Sequence, residues 1–327
     1  MEVLTERDTN LLFDLYKYRT LSIEQISNVH FNGKVGYTYR RLYLLKKEGF
    51  VHSYPLVRLK NDRRAGCYYI TEKGIDILEE LEMIDQARRA RDNKVSGPAL
   101  PHIIEINELF AQLSPSGWEF RPSREVKAAY GMNRSSLVNG SLVDKSNKEY
   151  MVYLLQESSR EDTIEQITRE IQTHDFEHVL ILCKGKESYF DMKQALQRVL
   201  IAGTVNILLF PFALKVLKAL NGEKAYQQLF MKYGPIYPVH TKHDFTRSII
   251  HHQGEDKYLV NYLLGDQVSM YFLKKYTYDR YQMDRRRVML FAWKGQMLEL
   301  QEEFNAYPHI ELVMVQLQNI QTEEESN

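Results

Sequence analysis

Apolar positions recur at helical spacing from the start of the chain: Leu4, Leu11, Leu12, Leu15 and Tyr18 share one face. Thr5 precedes them with Asp8 three positions on, a capping box with a shorter acid. Ser22 and Gln25 repeat that signal and open a short second helix through Ile23, Ile26 and Val29. After the turn Asn32-Gly33, a third helix is predicted over Lys34 to Glu48, with Gly49 at the position just past its end. Two strand-like runs follow, 50–59 and 66–70, joined by the polar turn 60–64, and a fourth helix runs from about Glu72 past Leu81. Three helices, a basic-tipped hairpin and a further helix is the order of a winged helix-turn-helix, predicted over residues 1–85.

The charged segment 86–100, which contains Ser96-Gly97-Pro98, reads as an interdomain linker. Beyond it the period alternates between helix and strand. A helix over His102 to Leu113 is followed by strand-like runs at Leu137 to Val143 and Tyr150 to Leu155, a helix at Thr163 to Gln172 and a strand at His178 to Cys183. A helix at Ser188 to Ile201 and a strand at Val205 to Phe210 complete the series. That alternation predicts an α/β sheet with mostly parallel crossovers over 101–222. A second α/β unit is predicted over 223–320. There Leu259 to Asp266 matches Leu137 to Asp144, and Ser269 to Lys274 echoes Tyr150 to Leu155. Arg287 to Gln296 echoes His178 to Lys186, and Ile310 to Val315 echoes Val205 to Leu209. The same order in both halves points to an internal duplication. The acidic end, 321–327, is expected to be disordered. The fold class is therefore α+β: a winged helix-turn-helix followed by a duplicated α/β region.

Composition alters this picture in one place. Lys and Arg together number 43, as do Asp and Glu, so no net charge marks a partner. The balance hides a split, because residues 1–75 hold 13 Lys/Arg against 8 Asp/Glu, and the excess of positive charge coincides with the predicted winged helix. The 2 cysteines, Cys67 and Cys183, stand far apart, which disfavours a disulfide framework or a Cys-based zinc site and fits a reducing cytoplasm. The N-terminus has no basic segment leading into an apolar one, and Pro211, Lys215 and Lys218 interrupt the most apolar stretch, Val205 to Leu220. A cytoplasmic protein without membrane association is expected.

Candidate chemistry concentrates on the third helix. Val35, Thr38, Leu42 and Leu45 fall on the side expected to pack inward. Tyr37, Arg40, Arg41 and Leu44 fall on the adjacent face, flanked by Lys34, Tyr39, Tyr43 and Lys46. Arginine can pair bidentately with guanine in the major groove and tyrosine can reach phosphates or thymine methyls, so this face reads as a recognition helix for double-stranded DNA. Arg58, Lys60, Arg63 and Arg64 at the hairpin tip form a second basic cluster, suited to phosphates rather than bases.

Four segments resemble the replication-relaxation family, mobilisation-protein-like factors of Gram-positive plasmids and mobile elements. They are LTERDTNLLFDLYKYRTLSIEQI (Leu4 to Ile26), YTYRRLYLLKKEGFV (Tyr37 to Val51), YYITEKG (Tyr68 to Gly74) and PHIIEINELFAQL (Pro101 to Leu113). The resemblance extends over about the first 210 residues. It implies DNA binding in plasmid or phage replication, relaxation or transfer, or in transcriptional control of these, with replication or relaxosome proteins as partners. It also implies a nuclease-like α/β core. Asp144 occupies the place of that core's first acid, but the next strand ends in Gln156-Glu157-Ser158-Ser159, leaving Glu157 alone where an acid pair or acid and lysine belong. One Asp and one Glu are too few oxygen ligands for a metal-dependent hydrolase, so the core is expected to be inactive. A nuclease or nicking factor built on Asp144 and Glu157 is the rival reading. No P-loop, GxSxG or HExxH pattern occurs. His240, His243, His251 and His252 are read as polar loop residues, and no metal or cofactor is expected. The apolar strands of the α/β region are expected to serve assembly, most simply as a homodimer.

Overall fold

In the computed structural model, residues 4–55, 66–85, 88–95, 97–197 and 203–317 are described. They fall into two compact units, Met1–Pro122 and Ser123–Asn327. The fold is mixed α+β, with helices and three sheets.

The first unit opens with α1 (Glu6–Tyr18), β1 (Leu21–Ser22) and α2 (Ile23–His30). Both helices start on the capping boxes read from the sequence: the Thr5 amide donates to Asp8 at 2.8 Å and the Ser22 amide donates to Gln25 at 3.0 Å. Then come α3 (Val35–Lys47), β2 (Val51–Pro55), β3 (Gly66–Ile70) and α4 (Glu72–Glu80). Gly49 ends α3 at φ +83°, the left-handed conformation that glycine adopts without a Cβ penalty. The strands form one antiparallel sheet in the order β1–β3–β2, with Leu21 opposite Tyr68 and Val51 opposite Ile70. Leu11, Leu12, Leu15, Ile23, Ile26, Leu42 and Leu45 fill the core.

The described parts of 86–100, residues 88–95 and 97–100, pack within the first unit. They carry α5 (Ala90–Asn93) and a single 3-10 turn at Gly97–Ala99, and lead directly into α6 (Leu100–Leu113). Val95, Leu100 and Ile104 pack on Cys67 of β3 in one apolar cluster. Polar contacts fasten α6 further. The Asn107 amide donates to the Tyr18 and Thr20 carbonyls at 3.1 and 2.7 Å, and Gln25 donates to the Ile104 carbonyl at 2.7 Å. The unit ends with β4 (Glu119–Pro122), where Phe120 stacks 6.0 Å from Tyr18. Charge and a Ser-Gly-Pro sequence read as a linker because apolar anchors as sparse as Val95 and Leu100 leave little periodicity.

The second unit begins with α7 (Ser123–Ala129), β5 (Gly140–Val143), β6 (Glu149–Leu155) and α8 (Glu161–Thr173). It continues with β7 (His178–Cys183), α9 (Lys186–Leu196), β8 (Thr204–Leu209), α10 (Phe212–Ala219) and α11 (Glu223–Met231). The rest comprises β9 (Ile236–Pro238), β10 (Ser248–His252), β11 (Glu255–Asn261), α12 (Gln267–Lys274), α13 (Tyr278–Asp284), β12 (Val288–Trp293), α14 (Lys294–Phe304) and β13 (Ile310–Val315). The halves share one connectivity. β5 is antiparallel to β6, β6 parallel to β7 and β7 parallel to β8; likewise β10 is antiparallel to β11, β11 parallel to β12 and β12 parallel to β13.

The two halves thus repeat one strand connectivity, but two of the sequence equivalences were out of register. Leu259 to Asp266 covers the end of β11, the counterpart of β6 rather than of β5. Ser269 to Lys274 is helix, not strand: Asp266 caps it by accepting from the Val268 and Ser269 amides at 3.1 and 3.4 Å, and its buried residues, Met270 and Leu273, are three apart. The turn before this helix also closes the edge of β8. The Val205 amide donates to the Asp266 carboxylate and the Ile207 amide to the Gly265 carbonyl, each at 3.2 Å. Among the described residues, no helix is long and apolar enough to cross a membrane.

Candidate nucleic-acid interface

The two sides of α3 differ sharply. Thr38, Leu42 and Leu45 are buried, while Lys34, Tyr37, Tyr39, Arg40, Tyr43 and Lys46 are all exposed, Tyr43 to 66%. Val35, expected in the core, stands exposed in the first turn, where the helix has not yet reached its packing partners. The start of α3 also differs from those of α1 and α2. Lys34 caps it without a side-chain hydrogen bond and no acid lies in the first turn, so its positive end is left for an external anion. Lys47, which the sequence reading did not single out, is exposed beside Lys46. Its place in the Lys46-Lys47 pair was the available signal.

Arg41 is a correction. It turns back into unit 1, where its Nε and Nη2 donate to the two Asp8 carboxylate oxygens at 2.7 and 2.6 Å. Its side chain is only 14% exposed and that of Asp8 1%. A fork-to-fork pair of this geometry fixes both partners, so Arg41 ties α3 to the capping box of α1 and is withdrawn from the exposed set. Burial pushes the Asp8 carboxyl up, but hydrogen bonds and charge from Arg41 and Thr5 outweigh it and hold the group below its usual range.

Other contacts position the exposed face. Tyr37 packs 5.5 Å from the Phe31 ring, and Lys46 Nζ donates to Ser53 Oγ of β2 at 2.8 Å. On β2 and β3, Tyr54 stacks on Tyr69 at 4.6 Å and His52 lies 5.7 Å from Tyr69. Arg58, Lys60, Arg63 and Arg64 lie outside the described residues.

Asp144 and Glu157 are not brought together. Asp144 accepts from the Ser146 and Lys148 amides at 2.8 and 3.0 Å and so builds the β5–β6 turn. Val143 stands opposite Glu149, at the start of β6, whereas Glu157 follows its end and is exposed. At ~3.3 Å per residue the two acids are separated by roughly 25–30 Å. The residue that does reach the far end of β6 is Asn139, whose Oδ1 accepts from the Leu154 amide at 2.7 Å; it is an amide, not a carboxylate. Asp144 and Glu157 thus do not meet in one site in this structure. Among the described residues no group of three or more His, Cys, Asp and Glu could hold a metal ion.

His243 lies in a loop but is buried, 3.2 Å from Asp284 and stacked 5.3 Å from Phe245. His251 and His252 lie on β10 rather than in a loop; His251 pairs with Asp256 at 2.8 Å and His252 with the Tyr233 carbonyl at 2.7 Å. Glu170 was missed by the sequence reading. This buried carboxylate accepts from Ser136, the Leu137 amide and the Tyr153 hydroxyl at 2.8 to 3.2 Å. No local pattern announces it, because its partners lie 17 to 34 residues away.

Fold and surface thus describe a mixed α+β protein whose first unit presents an outward cationic and aromatic helix face. The replication-relaxation family model matches residues 12–129, from within α1 into α7, and supports the family that the four sequence segments resembled. The match stops short of the 210 residues expected. No curated protein and no solved structure gives a significant match.

Proposed function

We propose that residues 1–85 act as a winged helix-turn-helix that binds double-stranded DNA sequence-specifically, with α3 in the major groove. One observation carries the reading: α3 buries Thr38, Leu42 and Leu45 and turns Lys34, Tyr37, Arg40, Tyr43 and Lys46 to solvent. A rigid helix with an uncapped positive end, one donor fork and several amphipathic rings matches the phosphate rails and base edges of a major groove. Arg58, Lys60, Arg63 and Arg64 would neutralise phosphates beside it. The replication-relaxation family match supports a role in replication or DNA relaxation, which this reading places on a plasmid or phage, in its transfer or in its transcriptional control.

In this reading the protein acts by binding rather than catalysis, without cofactor, in the cytoplasm. The second unit serves assembly, as a homodimer or with replication or relaxosome proteins; a dimer would place two α3 helices on half-sites about one helical turn apart. The test is a gel-shift titration on DNA of the parent replicon. Saturable binding that survives excess random duplex supports the reading, and no preference over random duplex refutes it. Incubation with plasmid DNA and Mg²⁺ or Mn²⁺ tests the catalytic part, for which no nicking is expected.

A further inference from the structure

A basic segment of the second unit spans α12, α13 and the turn between them. Residues 271–287 hold six Lys/Arg against two Asp. One of the acids, Asp284, is committed inward, accepting from the Tyr258 and Tyr276 hydroxyls at 2.7 and 3.0 Å. Lys274 is paired with Glu303, but Lys275, Arg280 and Arg285 are exposed. Tyr276 holds the segment together, reaching from the α12–α13 turn to the Arg286 carbonyl at 2.8 Å.

Aromatic rings stand among these cations. Tyr271 and Tyr278 are 37% and 49% exposed, and Lys275 Nζ sits 3.9 Å from the centroid of the Tyr271 ring. Met283 is exposed as well. Arg285 occupies the left-handed region at φ +59°, a conformation that asparagine or glycine adopts more easily. Solvated lysines and arginines alone would suit any anion. Exposed rings set between them suit an anion that carries flat apolar faces.

We propose that α12, α13 and the run Arg285 to Arg287 form a binding surface for single-stranded nucleic acid. Lys275, Arg280 and Arg285 bind the phosphates, and Tyr271 and Tyr278 stack against bases. Stacking platforms interleaved with cations recognise strands whose bases are free of a partner. A duplex hides those faces, and an acidic peptide offers charge without them. The surface shares no residue with α3.

The test uses the full chain and fluorescence anisotropy with labelled dT20, rU20 and a random duplex across a salt series. Lys275→Ala, Arg280→Ala and Arg285→Asn are combined in one variant; Tyr271→Ser and Tyr278→Ser make a second. The charge variant is expected to bind single strands at least tenfold more weakly, with the log–log salt slope reduced by about 0.7 per lost contact. The tyrosine variant should lose about tenfold at an unchanged slope. The tighter of the dT20 and rU20 arms identifies DNA or RNA as the source of the strand. Ultraviolet cross-linking of dT20 to the unmodified protein, expected on 271–287, keeps the question answerable if a variant fails to fold. Undiminished single-strand binding in both variants, cross-links elsewhere, or displacement of dT20 by polyglutamate of equal charge would overturn the proposal. Arg40→Ala separates it from the α3 reading: loss of both single-strand and duplex binding in that variant would mean one surface, not two.

Discussion

Arg40 and Arg41 are neighbours in sequence with opposite environments. Arg40 is exposed, so Arg40→Ala is expected to weaken specific duplex binding by roughly 1–3 kcal/mol and to relax preference at one or two base pairs, with no change in melting temperature. A gel-shift titration on wild-type and single-base-substituted sites reads both effects. Arg41→Ala removes one partner from a buried ion pair and strands Asp8, at a cost of about 3–5 kcal/mol. Chemical denaturation should show that loss, and intact stability would refute the structural role. Because the folded Asp8 carboxyl is held low, its stabilising contribution is fully present above the unfolded value of about 3.9. It is lost as pH falls through the lower folded value. His178 acts at higher pH. Burial, then the nearby Lys148 charge, holds its imidazole down to about 4 from 6.5, and its Nδ1 lies 2.9 Å from Thr204 Oγ1. The unfolded state therefore takes up the proton first. Stability is complete above pH 6.5 and declines by up to roughly 3 kcal/mol as pH falls to about 4, at ~1.4 kcal/mol per pKa unit. His178→Gln should flatten the urea-midpoint profile across that window.

At the scale of elements, local rules were legible and remote ones were not. The capping boxes at Thr5 and Ser22 act over three residues, so composition and spacing suffice to find them. Arg41 looked like a surface residue because its partner lies 33 positions away. On α3 the buried and exposed sides followed from the period alone, apart from Val35 in the first turn and the inward-turned Arg41. Ser269 to Lys274 was mistaken for a strand because its four-residue apolar run, Met270 to Leu273, satisfies either period; the Asp266 cap, not the run, decides for helix. The scarcity of acids around Asp144 and Glu157 showed in the sequence, but the hairpin polarity that sets the two at opposite ends of β6 did not. Gly265 was silent too. It sits at φ +74°, where a Cβ would collide with the Ile207 carbonyl oxygen. Gly265→Ala should destabilise the second unit by about 1–3 kcal/mol, readable as a lower thermal midpoint.

On the scale of the whole chain, the boundary between the two units lies at Pro122, beyond the segment 86–100. A fragment ending at Lys94 lacks Leu100 and Ile104, which cover Cys67, and Asn107, which holds the Tyr18 and Thr20 carbonyls. It is expected to be unfolded or molten by near-ultraviolet circular dichroism. A fragment ending at Pro122 should give a cooperative transition and, in the proposed function, retain DNA binding. Equal cooperativity in both fragments would show α6 to be dispensable.

The seal on β8 has a consequence in time as well as in space. Its partner backbone, Gly265 and Asp266, emerges from the ribosome about 55 residues after β8 does. At about 5–20 residues per second the bare strand edge waits some 3–11 s on the nascent chain. An apolar edge in that state is a template for pairing with neighbouring nascent chains on the same message. Released fragments ending near residue 222 should therefore sediment as aggregates or recruit chaperones, whereas chains released after β13 should not. On this expectation, completing the second α/β half is what relieves the first of its exposed edge.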